Sequence, residues 1–312
     1  MQRRRFLLSS VALSGAALAG TAPVRAQNGP VFLDYTQADL DKAYDQAVWA
    51  PELRALQDYD SSSSAEVRKK MPPRTERYGT SDAEQIDIFT PSGASGVPVF
   101  VFIHGGAWMF NSFRDASYPA PTLVGRGGAY LTPGFDNIDK VRLPEMIEQC
   151  RSAVAWAVKN APSYGGDPNR VYLGGHSSGG HLASCVLMTD WTQRGLPADA
   201  IKGAMLISGM YELYPVTLSS RGQYLKLTPE EVEAASLARH LHLVKFPVVV
   251  AGAELDSPEF QRQAAMLAQS LQGMGRLEKR IVMSAKNHFQ GPQEMAQPDT
   301  ELSRELFTLM KI

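Results

Sequence analysis

A serine flanked by glycines is the position in this chain best suited to nucleophilic chemistry. Ser177 follows the apolar run at 171–173 and stands between Gly175 and Gly179, where a segment of helical character begins. Glycine on both sides lets a strand turn sharply into a helix, and such a turn exposes the central hydroxyl. The same five-residue pattern also occurs in ordinary strand-to-helix connections, so its meaning depends on residues elsewhere in the chain.

A second glycine turn could supply the backbone donors that stabilise an oxyanion. The apolar run at 98–103 leads directly into a turn that contains Gly106 and Ala107. Acyl transfer passes through a tetrahedral intermediate, whose negative oxygen is stabilised best by backbone N–H groups held close to it. We therefore predict the amides of Gly106 and Ala107 as oxyanion donors. The amide of Ser178, at the start of the next helix, is predicted as a third donor.

The serine also needs a general base, and histidine has the ordinary pKa best suited to that role near neutrality. His288 follows the last predicted strand and is the histidine that comes after a suitable carboxylate in the chain. This order, serine then acid then histidine, is the one expected when the nucleophile occupies a strand-to-helix turn. The remaining histidines lie in the oxyanion turn, beside the nucleophile or in a later insertion: His104, His176, His181, His240 and His242.

Two carboxylates compete for the role of the acid that orients the histidine. Glu254 and Asp256 both follow the predicted strand at 247–251. Asp256 lies at the far end of this loop, directly before Ser257, from where it would better reach an imidazole on the next loop. We favour Asp256 and keep Glu254 as the alternative.

Strands and helices alternate along most of the chain, which predicts a mostly parallel sheet with helices on both faces. Helices are predicted at 144–159, 180–191, 258–274 and 299–310. Residues 35–56 predict a helical N-terminal arm, which the serine run at 61–64 is expected to interrupt. Residues 214–243 break the alternation and predict a small cap-like insertion over one end of the sheet. Strands are predicted at 86–89, 97–103, 129–132, 171–173, 204–207, 248–251 and 279–283.

The first residues have the pattern of an export signal. Paired arginines precede an apolar stretch that is short for a membrane span, and Ala26 ends a typical cleavage site. We expect residues 1–26 to direct export by the twin-arginine route, which predicts a periplasmic protein with no stable membrane span after cleavage. Residues 27–312 then form one domain.

Composition narrows the partners and cofactors. The formal net charge of −1, without a Lys/Arg cluster beyond the signal, argues against a nucleic-acid partner. The two cysteines, Cys150 and Cys185, lie on separate predicted helices and are expected to be buried free thiols. The histidines have no metal-binding spacing, so we predict no metal and no cofactor. The expected partner is a small ester or amide, and the sequence does not indicate an oligomeric state.

Taken together, these motifs resemble those of the arylformamidase (kynurenine formamidase) and related esterase group of α/β-hydrolases. The resemblance extends over nearly the whole chain after the signal. It implies the α/β-hydrolase fold, with Ser177, Asp256 and His288 as a catalytic triad. It is carried by residues 104–108, 165–170, 174–183, 208–211, 256–260 and 287–289.

The sequence indicates acyl transfer by a serine but leaves more than one class of substrate open. Tryptophan catabolism, in which formamidases act, is intracellular, whereas this chain begins with an export pattern, so we favour a carboxylesterase. An arylformamidase acting on an N-formyl aryl amine is the alternative, and a non-catalytic binding protein on the same fold is a second one. Apolar side chains on the loops are expected to line an acyl or aryl pocket. These are Trp108, Met210 and Tyr211, together with Phe110 and Tyr118.

Overall fold

The computed structural model describes residues 29–312. Residues 1–26, for which the sequence predicts an export signal, lie outside the described residues. Along the described part of the chain, no helix combines the length and the apolar character needed to cross a membrane.

One sheet organises residues 29–312, with strands in the spatial order 1-2-4-3-5-6-7-8. The first two strands are antiparallel to each other, the second is antiparallel to the fourth, and every other neighbouring pair is parallel. The predicted fold class, a mostly parallel sheet covered by helices, is confirmed. The strands are β1 (Arg74–Arg77), β2 (Gln85–Phe89), β3 (Val97–Ile103), β4 (Ala129–Pro133), β5 (Gly166–His176), β6 (Ile201–Ile207), β7 (Val248–Ala253) and β8 (Leu277–Met283).

The central strands are buried because their side chains alternate between two apolar layers. In β3, Val99 and Val101 point into the larger core cluster, whereas Phe100 and Phe102 point into the smaller one on the opposite face. Helices cover both layers. They are α4 (Ala120–Gly125), α5 (Leu143–Lys159), α6 (Ser178–Leu187), α10 (Pro258–Gly273) and α12 (Glu301–Met310). Apolar side chains of α5, α6 and α10 pack into the larger cluster, and those of α4 and α12 pack into the smaller one.

Shorter helices lie over the edge where the parallel strands end. Between β6 and β7, the segment predicted as an insertion contains three helices of four to six residues. The N-terminal helices α1 and α2 precede a longer helix, α3, which packs on the 3₁₀ turn at Phe113–Ala116. The remaining helices are α1 (Gln37–Tyr44), α2 (Gln46–Trp49), α3 (Leu53–Lys70), α7 (Tyr214–Leu218), α8 (Gly222–Leu225), α9 (Pro229–Ala234) and α11 (Gln290–Gln293).

The predicted break at the serine run is wrong, because α3 continues through residues 61–64. Serine disfavours helix interiors when its hydroxyl competes for local backbone groups. Here the hydroxyl of Ser64 is bound by a different part of the chain. It donates to the carbonyl of Asp115 at 2.8 Å and accepts the amides of Ser117 and Tyr118 at 3.0 and 3.1 Å. The serine therefore joins α3 to the loop beneath it.

Both cysteines are buried free thiols, as predicted. Cys150 lies on α5 and Cys185 on α6, within the larger core cluster. Burial raises the pKa of both thiols, that of Cys185 to about 12, so each is protonated at neutral pH and packs as a small apolar group.

Candidate active site

Ser177 occupies a strained turn between β5 and α6. Its φ of 56° and ψ of −124° lie in a region that residues other than glycine rarely adopt. The flanking glycines are required by close packing. A Cβ on Gly175 would lie 2.3 Å from the carbonyl oxygen of Gly179, and one on Gly179 would lie 2.2 Å from that of Ile103. The turn therefore holds Ser177 in the conformation expected of a nucleophile.

The side chains of Ser177, His288 and Asp256 form a continuous hydrogen-bonded chain. Oγ of Ser177 lies 2.8 Å from Nε2 of His288, and Nδ1 of His288 lies 2.6 Å from Oδ1 of Asp256. An ionised carboxylate can only accept, so Nδ1 of His288 donates to Asp256, and in the neutral imidazole Nε2 is then left to accept from the serine hydroxyl. This is the protonation state that a general base requires.

The carboxylate of Asp256 is held by three donors. Besides His288, the hydroxyl of Ser208 donates to Oδ2 at 2.6 Å and the amide of Ala253 donates to it at 2.9 Å. Burial alone would raise the pKa of this carboxyl, but the charge of His288 and these hydrogen bonds lower it below its ordinary value. Asp256 is therefore ionised at neutral pH.

Glu254, the alternative acid, has a different set of contacts. Its carboxylate is exposed and accepts from the amide of Ala285 at 2.6 Å and from the hydroxyl of Ser284 at 2.9 Å. These bonds fix the loop that follows β8. Of the two carboxylates, Asp256 is the one that contacts His288.

The turn after β3 presents its backbone amides next to Ser177. Gly106 has a φ of 128°, and a Cβ there would lie 2.0 Å from the carbonyl oxygen of Phe110, so only glycine fits. Ala107 also has a positive φ, of 54°. Among residues 29–312, the amides of Gly106, Ala107 and Ser178 make no hydrogen bond to another protein group. Three donors are thus free for a ligand oxygen.

A cavity of about 220 Å³ opens onto Ser177 and His288. Phe110 and Tyr118, both predicted to line it, do so. The wall contributed by the N-terminal helices, the insertion and the turn at Phe113–Ala116 is more polar than the sequence suggests. It includes Asp45, Gln46, Gln57, Asp60, Asp115 and Arg221.

The predicted pocket role of Trp108, Met210 and Tyr211 is corrected, because all three lie in the core and none of them lines the cavity. Trp108 donates through Nε1 to Nδ1 of His181 at 3.1 Å. The hydroxyl of Tyr211 accepts the amide of Gly209 at 3.2 Å. The three side chains form the layer behind the cavity wall, where an aromatic residue on a loop packs as it does elsewhere in the interior.

His176 contacts His288, although the sequence analysis treated it only as a neighbour of Ser177. Its Nε2 lies 2.8 Å from the carbonyl oxygen of His288 and donates to it. Burial, together with the charge of His288, lowers the pKa of His176 to about 3. A neutral imidazole is therefore packed against the base. Nothing in the local sequence distinguishes this role from that of His181, whose pKa burial lowers to about 4.

Ser208 was also missed as a member of the site. It follows β6 at the end of the sheet where the other site residues lie, and its φ is 44°. The signal available in the sequence was its position directly after a predicted strand, since ligands bind at the carboxyl ends of parallel strands.

Asp60 is a carboxylic acid of the cavity whose acidity is strongly reduced. Burial raises the pKa of its carboxyl to about 7; the hydrogen bond from Gln293, at 2.8 Å, opposes this effect, and the negative charge of Asp115 adds to it. The carboxyl is therefore partly protonated at neutral pH.

Several known hydrolases are similar to this chain in sequence. The BD-FAE family model matches residues 86–203. Kynurenine formamidase of Danio rerio is 30% identical over 290 residues, which cover 87% of this chain and 96% of that protein. Isoprenylcysteine alpha-carbonyl methylesterase ICME of Arabidopsis thaliana is 26% identical over 68% of this chain and 55% of its own length.

Solved structures share the fold. A protein of Silicibacter sp. TM1040, provisionally named a thioesterase, superimposes with a TM-score of 0.75 at 25% identity, covering 85% of this chain and 98% of its own. Esterase LipW of Mycobacterium marinum has a TM-score of 0.65 at 16% identity, covering 86% of this chain and 89% of its own. At that identity the second likeness concerns the fold alone.

Proposed function

Because this chain belongs to the kynurenine formamidase-like and esterase group of α/β-hydrolases, we propose that it cleaves small carboxylic esters through Ser177, His288 and Asp256. That the chain is a hydrolase follows from its family. The catalytic residues and the choice of an ester are the proposal. The observation that carries it is the hydrogen-bonded chain of these three side chains, with distances of 2.8 and 2.6 Å, at a cavity that opens onto the serine.

In the first half-reaction, Oγ of Ser177 attacks the ester carbonyl while Nε2 of His288 takes the hydroxyl proton. The carbonyl oxygen becomes negative and accepts hydrogen bonds from the amides of Gly106, Ala107 and Ser178. Asp256 stabilises the imidazolium through Nδ1. The bond to the leaving oxygen then breaks, His288 returns the proton to it, and the alcohol departs from an acyl-enzyme.

In the second half-reaction, water replaces the alcohol. His288 takes a proton from the water as its oxygen attacks the acyl-enzyme, and the same amides hold the second oxyanion. Collapse of this intermediate breaks the bond to Oγ and releases the carboxylic acid. The proton returns to Ser177, which restores the resting enzyme.

The direct test replaces the nucleophile. We expect Ser177→Ala to lower kcat on 4-nitrophenyl acetate by about 10³ or more, because residual turnover would rest on binding and the oxyanion donors alone. Circular dichroism checks that the fold is retained. A fluorophosphonate probe should label the unsubstituted protein and leave Ser177→Ala unlabelled. Retained turnover in the variant, or no labelling of the unsubstituted protein, refutes the proposal and favours a binding role.

A formamidase activity at the same site is the second candidate. It is favoured by the match to kynurenine formamidase of Danio rerio, which extends over 96% of that protein. The chemistry would be the same, with an aryl amine as the leaving group. Comparing kcat/KM for N-formylkynurenine with that for 4-nitrophenyl acetate separates the two. A ratio well above one favours the formamidase.

Export remains a proposal that rests on the sequence pattern of residues 1–26. We expect the full-length chain to reach the bacterial periplasm, whereas replacement of Arg4 and Arg5 by lysine should retain it in the cytoplasm. Cell fractionation followed by an immunoblot measures this. Equal distribution of both forms contradicts twin-arginine export.

A further inference from the structure

Arg221 carries a buried charge that has no carboxylate partner. Its side chain is 7% exposed and lines the cavity that opens onto Ser177. Among residues 29–312, no carboxylate oxygen comes within the 4.0 Å of a salt bridge to its guanidinium. A buried ion without a counter-ion costs several kcal/mol, so proteins rarely retain one outside a functional site.

The guanidinium leaves one of its edges available. Nε and Nη2 both donate to the carbonyl oxygen of Tyr44, at 3.2 and 2.7 Å, which uses the side edge of the group. On the opposite side, Nη1 reaches only the sulfur of Met210, at 3.7 Å, and thioether sulfur is a weak acceptor. The end edge therefore retains parallel N–H groups from Nη1 and Nη2, the arrangement that binds a carboxylate in bidentate fashion.

A buried carboxylate near Arg221, that of Glu259, is paired with another arginine. Glu259 is fully buried, and its two oxygens accept from Arg262 at 2.7 and 2.8 Å. One of them also accepts from Tyr44 and Gln263. Glu259 therefore forms an ion pair with Arg262, whereas Arg221 has no carboxylate partner within residues 29–312.

Aromatic rings fix the position of Arg221 without neutralising it. Its Cζ lies 5.6 Å from the ring centre of Tyr44 and 5.9 Å from those of Trp108 and Phe260. The ring of Phe260 in turn packs edge-on against His288, with centres 4.8 Å apart. One aromatic ring thus contacts both the guanidinium and the imidazole of His288, and Arg221 lines the same cavity as Ser177.

A second unsatisfied group lies on the same wall. Gln46, two residues after Tyr44 in the chain, is 8% exposed and lines the cavity. Within the described part of the chain, neither its Nε2 nor its Oε1 has a hydrogen-bond partner. A buried amide with both polar atoms unsatisfied is uncommon in native proteins and calls for an explanation. A bound anion would provide an acceptor for its Nε2.

From these contacts we infer that Arg221 and Gln46 form a subsite for a carboxylate carried by the substrate, away from the bond that is cleaved. This inference rests on the proposed function, whose substrate class it narrows to esters or amides with a free carboxylate. Arg221 is the anchor through Nη1 and Nη2, and Gln46 adds a third donor. Neither residue takes part in bond breaking.

The test compares matched substrates that differ in one charge. Mono-(4-nitrophenyl) glutarate and its methyl ester place the difference on the acyl side, and 4-acetoxybenzoate and its methyl ester place it on the leaving group. For the unsubstituted protein we expect the anionic member of at least one pair to have a kcat/KM higher by about tenfold or more, mainly through KM. A ratio near one in both pairs overturns the inference.

Variants assign the preference to the guanidinium. Arg221→Met should bring the ratio close to one, and because the ratio compares two substrates of one variant, a change in kcat common to both esters cancels. Arg221→Lys should keep part of the preference, since it retains the charge without the planar fork. Arg239→Met is the matched control, because Arg239 lies in the same insertion but pairs with Glu212 and Glu233. A preference that persists in Arg221→Met, or that disappears in Arg239→Met, overturns the inference.

Inhibition of the unsubstituted protein provides a measurement that does not depend on variants folding. Benzoate should inhibit turnover of a neutral ester with a Ki about tenfold or more below that of benzamide. Equal constants count against the subsite. Turnover of the neutral esters tests the proposed function separately, because its absence would refute catalysis by Ser177 without bearing on anion binding.

Discussion

The imidazole of His176 packs against the imidazole of His288 and donates a hydrogen bond to its backbone. The ring centres are 4.7 Å apart, and Nε2 of His176 lies 2.8 Å from the carbonyl oxygen of His288. Because burial lowers the pKa of His176 to about 3, its imidazole is uncharged at pH values near 7. His288 is thus positioned by a donor that does not compete with it for a proton.

This contact predicts a graded response to substitution at position 176. We expect His176→Phe to lower kcat on 4-nitrophenyl acetate by about tenfold, because losing the donor lets His288 move away from Ser177. His176→Gln retains an N–H donor and should lose less. Steady-state kinetics on variants with unchanged circular dichroism measure this. If the two substitutions have equal effects, the donor is not what positions the base.

The contacts of Asp256 and Glu254 predict unequal roles for the two carboxylates. Asp256→Asn should lower kcat by about 10²–10⁴, since the amide no longer stabilises the imidazolium and favours the wrong tautomer of His288. Glu254→Gln should change kcat by less than about threefold, because its carboxylate fixes only the loop after β8. The ratio of the two kcat values decides the assignment. A larger loss in Glu254→Gln would reverse it.

The backbone of the oxyanion turn predicts a specific sensitivity at Gly106. A Cβ would lie 2.0 Å from the carbonyl oxygen of Phe110, so Gly106→Ala must shift the turn and misplace its amides. We expect kcat to fall by about 10²–10³. Gly127→Ala is the control, because Gly127 has a φ of 85° but open space around it. That variant should lose about 1 kcal/mol of stability and keep its kcat. Equal kcat losses would contradict the oxyanion role.

Several strands and the turn at Ser177 could be predicted from short stretches of sequence. Apolar runs predicted β3 over its full length, β7 except for its last two residues, and the last four residues of β6, since a strand segment buried on both faces must be apolar throughout. The turn around Ser177 was predictable for a similar reason. Gly175 is imposed by backbone contact with Gly179, which is close in the chain, although Gly179 itself is imposed by contact with Ile103 of β3.

Other parts of the site depend on contacts that no local pattern encodes. Ser208 meets Asp256 across 48 positions of the chain, and Arg221 meets Tyr44 across 177. Trp108 was predicted to line the cavity but lies in the core. An aromatic side chain on a loop has the same sequence signal whether it lines a cavity or packs behind the wall, and only the folded arrangement distinguishes the two.

Asp60 predicts a pH dependence of stability. Its carboxyl has a pKa of about 7 in the folded protein against an ordinary value of 3.8. The folded state therefore holds this proton more tightly than the unfolded state. The stabilisation is complete below pH 3.8 and is lost as the pH rises towards 7, an effect on the order of 2–4 kcal/mol.

The substitution Asp60→Asn removes this ionisation while keeping an acceptor for Gln293. We expect it to raise the free energy of unfolding relative to the unsubstituted protein at pH 8, and to have little effect near pH 3.8. Urea unfolding of both proteins at each pH measures the difference, and the contributions of all other titrating groups cancel in the comparison at one pH. The buried position beside Asp115 is the physical reason for the gain, since Asn carries no charge to desolvate there. A stability difference that is the same at both pH values would mean that Asp60 titrates normally in the folded protein.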